Sequence, residues 1–199
     1  MTSELFSCDT SQALLAGLSD SQFSGSSFYR DTLSYEHSRL NGADAWSSDA
    51  LDTTQYLQAD LGETKVIAKF ATQGSAITPE WVTSYKFGYS IDDVTYYIVQ
   101  EDYSDKIFTG NTDSDTIVEH TFDNVIVARY VRMYPQTWYV HISMRWEVYE
   151  CQGTGKHSIH YIDSCYVRFV CTMTSAQGLS SKTLFVVVLL ECLRRQCLL

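Results

Sequence analysis

The chain has 199 residues, 45% of them hydrophobic and 14% aromatic, with 14 Lys and Arg against 24 Asp and Glu for a formal charge of -10. That length excludes a large multidomain enzyme and suits one compact domain with an appendage. The negative charge repels phosphate backbones, which argues against a nucleic-acid partner, and it gives no electrostatic pull toward anionic lipid. Fourteen Tyr, nine Phe, four Trp and only two Pro describe a folded, β-rich chain.

The first seven residues form a stub, and MTSELFSC has neither the basic nor the apolar region of a secretory signal. From 8 to 151 the chain carries 9 basic and 21 acidic residues, net -12; from 152 to 199 it carries 5 and 2, net +3, and Glu4 supplies the remaining -1. The two parts differ in kind. Between Cys8 and Cys151 lie short alternating runs punctuated by Gly, Asn, Asp and Ser, as in antiparallel strands with one face buried. Leu57, Ala59 and Leu61 alternate with Tyr56, Gln58 and Asp60. Tyr85, Phe87 and Tyr89 alternate with Lys86, Gly88 and Ser90, and Met144, Trp146 and Val148 with Arg145, Glu147 and Tyr149. The best helical run, 11–18, is too short and too small in side chain to carry a core. Many short strands without a long helix predict an all-β sandwich or barrel. After Cys151 the chain reads as an irregular tail. Its one apolar run, 183–190, lies between Lys182 and Glu191, is too short to span a bilayer, and has no partner segment nearby.

Six Cys stand at 8, 151, 165, 171, 192 and 197, with no zinc-type spacing; His157, His160, Cys165 and Cys171 are close in sequence but match no ligand arrangement. Cys8 and Cys151 bracket the alternating region. Read from spacing alone they are either a crosslink that ties the ends of a β-domain together, which needs an oxidising compartment, or two buried thiols.

Ordered pieces of the chain carry a family pattern: Ser26 and Ser27, SRLN at 38–41, Trp46, YLQADLG at 56–62, ATQG at 71–74, VTSYKFGYSID at 82–92, KIFTGNTD at 106–113, ARYVRMYPQTW at 128–138 and ISMRWEVYEC at 142–151. Over 8–151 the sequence resembles the discoidin, or coagulation factor 5/8 type C, domain. That resemblance implies a galactose-binding-domain-like jellyroll β-barrel closed by a Cys8–Cys151 disulfide, with ligand-binding loops at one end. It also implies a non-catalytic, extracellular or cell-surface adhesion module for a protein or glycan, or a peripheral module for phospholipid. Two departures stand out. Glu150 occupies the usual Gly position before the closing Cys, and 124–127 read NVIV where many members carry Pro.

A closed barrel offers side chains mainly at its rim, so the candidate ligand-binding residues lie in three loops. The first, 28–37, holds Phe28, Tyr29, Leu33 and Tyr35, with Leu33 read as the apolar spike a membrane-binding member would use. Ordinary packing beneath the loop is the alternative for Phe28 and Tyr35. The second, 74–80, puts Ile77 at its tip. The third, 138–141, places Trp138 near a pocket floor with Tyr139 and His141 at the edge. Arg30 stands beside Asp31 and Glu36, so the first loop lacks the basic help lipid binding wants. The family's way of capturing a C-terminal carboxylate fits poorly, since only Tyr29 matches and Leu33 and Leu51 stand where a Trp and an Asp would be. No cofactor is expected. Calcium at Asp44, Asp49 and Asp52 around Trp46 is the weaker reading beside a solvated acidic loop, and the EF-hand pattern fails at Asn111, Asp113 and Asp115 because Thr116 and Phe122 occupy its Gly and Glu positions. No catalytic motif is present.

Overall fold

The computed structural model describes residues 10–152, 155–162, 166–173 and 182–188, with side chains for 11–151. The chain falls into two compact units, Met1–Cys151 and Gln152–Leu199. In the first, the period-two runs become strands. These are β1 (Thr10–Ala13), β2 (Phe23–Gly25), β3 (Trp46–Ser47), β4 (Leu57–Gln73), β5 (Trp81–Ser90), β6 (Tyr97–Ile98), β7 (Gln100–Glu101), β8 (Ser104–Asp105), β9 (Phe108–Thr109), β10 (Val118–Tyr139) and β11 (Ser143–Gln152). One sheet runs β1-β11-β4-β10-β5-β6, with β2 on β4, β3 on β11 and β9 on β5; among the described residues β7 and β8 pair only with each other. Within 11–151 the helical turns are short 3-10 pieces such as Asp31–Leu33 and Tyr35–Ser38.

Two long strands turn the corner of the barrel. β10 pairs with β4 from Val118↔Thr72 to Met133↔Leu57, with register shifts between Thr121 and Ile126 and between Ala128 and Tyr130. Gly62 in β4 has φ 80° opposite the second shift, a conformation that suits glycine at such a bend. The far end of β10 then pairs with the start of β5, Tyr139↔Trp81. A Cβ added to Gly74, just past the end of β4, would lie 2.8 Å from the Cβ of Trp81, so the end of β4 and the start of β5 are neighbours. Both ends of β10 therefore lie at the same end of the barrel.

The core is aromatic. The Phe70 ring sits 4.9 Å from Phe87, 5.1 Å from Phe108 and 5.2 Å from Phe122, which joins β4, β5, β9 and β10. Each such pair contributes about 0.5–1.5 kcal/mol beyond its buried area. Trp46 and Trp146 are fully buried, and their indole N–H groups donate to the Ser27 carbonyl and the Ser38 hydroxyl.

The alternation in β11 has an unexpected second face. Arg145 and Glu147, expected at the surface, are buried. Arg145 donates to the carbonyls of Gly42, Gly74 and Ser114 and so stitches three loops together. Glu147 accepts from the backbone N–H groups of Leu14, Leu15, Ala16 and Val148, fixing the N-terminal segment to β11. Burial pushes the Glu147 carboxyl above the ordinary carboxylate range, and these four bonds only partly oppose it.

In the second unit β12 (Gly155–Ile162), β13 (Tyr166–Met173) and β14 (Lys182–Val188) form an antiparallel sheet in that order. The described part of the apolar run, 183–188, pairs within β14 with Val167–Thr172 of β13, which corrects the reading that it had no partner: its β-branched residues match another β-prone stretch. Cys8, Cys165, Cys192 and Cys197 lie outside the described residues, as do the side chains of His157, His160 and Cys171.

Candidate ligand-binding mouth

The shared end of β4, β5, β10 and β11 forms a mouth. β3 joins it by pairing Ser47 with Ser143. Tyr29 is held there because its N–H donates to the Ser47 carbonyl at 2.9 Å, and Ser48 N–H donates to the Ile142 carbonyl at 3.1 Å. The 74–80 loop closes on itself through Ser75 N–H to the Glu80 carbonyl at 2.8 Å. Thus three sequence-distant loops, carrying Tyr29, Ile77 and Tyr139, converge on one end.

A polar line crosses this end. The hydroxyls of Ser47 and Ser143 lie 2.6 Å apart, and Ser143 donates to Glu80 Oε2 at 3.0 Å. Thr78 donates to the same oxygen at 2.8 Å. Ser47 and Ser143 are buried, while Glu80 is half-buried with two hydroxyls fixing its Oε2. Aromatic rings flank the line. Tyr139 stacks on Trp81 with centroids 4.3 Å apart and planes at 13°. Tyr29 meets His141 edge-on at 5.8 Å. Tyr29, Tyr139 and Ile77 are about half exposed or more.

Between the two rings of the third loop the backbone is strained. Val140 has φ 61°, and His141 N–H donates to the Tyr139 carbonyl at 2.7 Å, which makes Val140 the centre of a tight three-residue turn. A β-branched residue in the left-handed region is rare and costly. Its side chain is largely exposed, so packing does not repay the strain. The result is a rigid prong that splays Tyr139 toward Trp81 and His141 toward Tyr29.

The predicted site residues divide accordingly. Tyr29, Ile77, Tyr139 and His141 line the mouth. Leu33 does not: it is buried with 6% exposure, because the turn Asp31–Leu33 folds its side chain inward, and the expectation of an apolar spike there is corrected. Tyr35 is half-buried against the core and follows the packing alternative, whereas Phe28, edge-on to it at 5.3 Å, stays exposed. Trp138, expected near the pocket floor, is half-buried against the core. Asp44 faces His37 at 3.3 Å, and Asp52 is occupied by Thr54 and Gln55; those bonds hold its carboxyl below the ordinary range. Asp49 joins neither contact. Among the described residues no group of three or more His, Cys, Asp or Glu could hold a metal ion, so the structure does not gather Asp44, Asp49 and Asp52 into one carboxylate set. Sequence reasoning missed Ser47, Glu80, Trp81 and Ser143. Their signal was slight, since each sits at a strand end and reads as ordinary strand or loop.

The F5/8 type C domain profile matches residues 22–148, about two thirds of the chain. The chain belongs to the F5/8 type C domain family. This F5/8 type C domain is 38% identical over 124 residues to a discoidin-1 polypeptide of Dictyostelium discoideum, covering 61% of this chain and 48% of that protein. It is 37% identical over 109 residues to human retinoschisin, covering 54% and 49%. The chain therefore spans about half the length of these relatives. Discoidin II of Dictyostelium discoideum superposes with TM-score 0.64 at 27% identity, covering 81% of this chain and 78% of that one. The expected family and jellyroll fold are borne out.

Proposed function

We propose that this domain is a non-catalytic recognition module that binds a glycan or protein ligand at its mouth, outside the cell or at its surface. One observation carries the reading: two aromatic pairs, Trp81 with Tyr139 and Tyr29 with His141, flank a fixed line of hydroxyls ending at Glu80. Aromatic faces cover the apolar face of a sugar or side chain, and fixed acceptors and donors set its orientation. Pre-ordering by Arg145, the Ser47–Ser143 pair and the Val140 turn removes part of the entropic cost of binding.

The extracellular placement rests on the family resemblance and on a Cys8–Cys151 crosslink. What supports that crosslink is Cys151, which is buried at the end of β11 and disulfide-bonded. The folding unit is then 8–151, with 152–199 as an appended piece. A glycan array probed with the full chain tests the reading. Selective binding that falls by about tenfold or more, equivalent to about 1.4 kcal/mol, in Tyr139→Ala supports it; binding that survives Tyr29→Ala and Tyr139→Ala together counts against it.

A second reading, peripheral attachment to phospholipid, draws on Ile77 and Val140, two exposed apolar tips at the same end. Liposome sedimentation with and without phosphatidylserine separates it, with Ile77→Asp as the variant that should release the protein.

A further inference from the structure

Away from the mouth, the large hydrophobic side chain with the greatest exposure among those described belongs to Tyr103, at 95%. It stands at the tip of the hairpin formed by β7 and β8, held by Gln100↔Asp105 and Glu101↔Ser104. This two-stranded sheet joins no other strand among the described residues and projects from the flank of β5, where Val99 N–H reaches Phe87 and Lys86 reaches Asp105.

The two turn residues, Asp102 and Tyr103, have φ of 49° and 64°. Both central positions of such a hairpin turn require the left-handed region, and Asp-Gly or Asn-Gly is the ordinary solution. A tyrosine in place of that glycine is strained, and among the described residues its side chain makes no hydrogen bond, ion pair or ring contact in return. Folding does not account for it. A phenol hydroxyl presented alone on a tip is instead well placed to be a nucleophile for an enzyme that modifies it.

Its surroundings narrow the class of enzyme. Glu101 and Asp102 precede Tyr103, and Asp105 follows two positions later. Glu101 is met by Lys106 at 2.9 Å, and Lys106 also reaches Asp123 at 3.3 Å. Asp105 is met by Lys86 at 2.9 Å. Among the described residues Asp102, directly beside the tyrosine, makes no such pair. An acidic approach repels the anionic nucleotide donors of group transfer unless the enzyme supplies a basic cleft for it, so it selects an enzyme built around acidic tyrosine segments. Strands of two residues each open at little cost, which lets the segment lie extended in such a cleft.

We propose that Tyr103 is a tyrosine-sulfation site. In the step, Tyr103 Oη attacks the sulfur of a nucleotide-activated sulfate donor. The new bond is Oη–S, the bond that breaks joins sulfur to the donor's phosphate oxygen, the phenolic proton passes to a base of the sulfotransferase, and the nucleotide leaves with its phosphate. Nothing is oxidised or reduced. The product carries one fixed negative charge on the flank of the barrel, away from the mouth. The preference for sulfate over phosphate rests on the extracellular placement proposed above, whereas the site itself does not.

The test incubates the purified full chain with a tyrosylprotein sulfotransferase and a radiolabelled sulfate donor. Label should map to the peptide containing Tyr103, fall to background in Tyr103→Phe, and drop several-fold in Asp102→Asn, with thermal melting unchanged in both. Because enzyme is added to purified protein, the result does not depend on where the chain resides. No label in the wild-type chain, label retained in Tyr103→Phe, or label indifferent to Asp102→Asn overturns the proposal. In protein secreted from animal cells, the peptide should carry a sulfuryl mass gain that resists alkaline phosphatase; a phosphatase-sensitive gain overturns the choice of sulfate.

Discussion

Replacing Glu147 by Ala and by Gln should have opposite consequences, because the buried carboxylate both organises the N-terminal segment and resists ionisation. Its oxygens accept from four backbone N–H groups. Leu14 N–H has a second acceptor in the Val148 carbonyl, and Ala16 is exposed enough to turn to water. Leu15 and Val148 are fully buried, so Glu147→Ala leaves two donors without partners at about 1–3 kcal/mol each. Relief from burying a carboxylate offsets part of this. A net loss of about 2–4 kcal/mol follows, within the 5–15 kcal/mol that holds a domain of about this size. Gln keeps the shape and one accepting oxygen for Leu14, Leu15 and Val148, and it carries no charge to desolvate. Glu147→Gln should therefore be as stable as the wild type, or more so, at neutral pH. The sign of the pH dependence follows from the raised pKa. The folded state holds the Glu147 proton more tightly than the unfolded chain, so this group's contribution is full below the ordinary carboxylate pKa and is lost as pH rises through the folded one. Guanidinium unfolding at about pH 5 and about pH 7.5 should show Glu147→Gln gaining on the wild type at the higher pH. If Glu147→Gln loses as much as Glu147→Ala at neutral pH, the charge itself holds the segment and the reasoning is wrong.

Other consequences are more direct. Gly74→Ala would press a Cβ to 2.8 Å from the Trp81 Cβ and 2.9 Å from the Glu80 carbonyl oxygen; as neither is a flexible tip, thermal melting should fall by several degrees. Val140→Gly should raise unfolding free energy by about 1 kcal/mol by releasing strain, while weakening ligand binding because the prong loses its fixed direction. Leu33→Asp should destabilise by about 3 kcal/mol or more in denaturant titration, from burying a carboxylate where an apolar side chain packs. A stable Leu33→Asp that had only lost membrane affinity would reinstate the exposed spike.

Much of the barrel was legible because period two is a property of strands whatever their partners. Leu57, Ala59 and Leu61, Tyr85 and Phe87, and Met144, Trp146 and Val148 all reach the core as their alternation predicts. The same rule failed for Arg145 and Glu147, whose polarity reads as a wet face. They are buried because their partners are loop carbonyls and N–H groups up to 133 positions away, and no local pattern records those. Tyr29, Tyr139 and His141 were found through their loops. Leu33 misled because an apolar residue among Asp31, Ser34 and Glu36 looks like a tip, whereas a single 3-10 turn suffices to turn it inward. Glu80 and Trp81 escaped notice because their roles arise from the closeness of the ends of β4, β5 and β10, which depends on register rather than composition.

The decisive matter is where a ligand sits. Backbone chemical-shift mapping of the isotopically labelled full chain, titrated with whichever glycan an array selects, measures that directly. Shifts concentrated at 28–29, 47–48, 75–81 and 139–143, and abolished by Tyr139→Ala, are the predicted result. Shifts centred instead on the flank around 91–107, with the mouth unmoved, would contradict it.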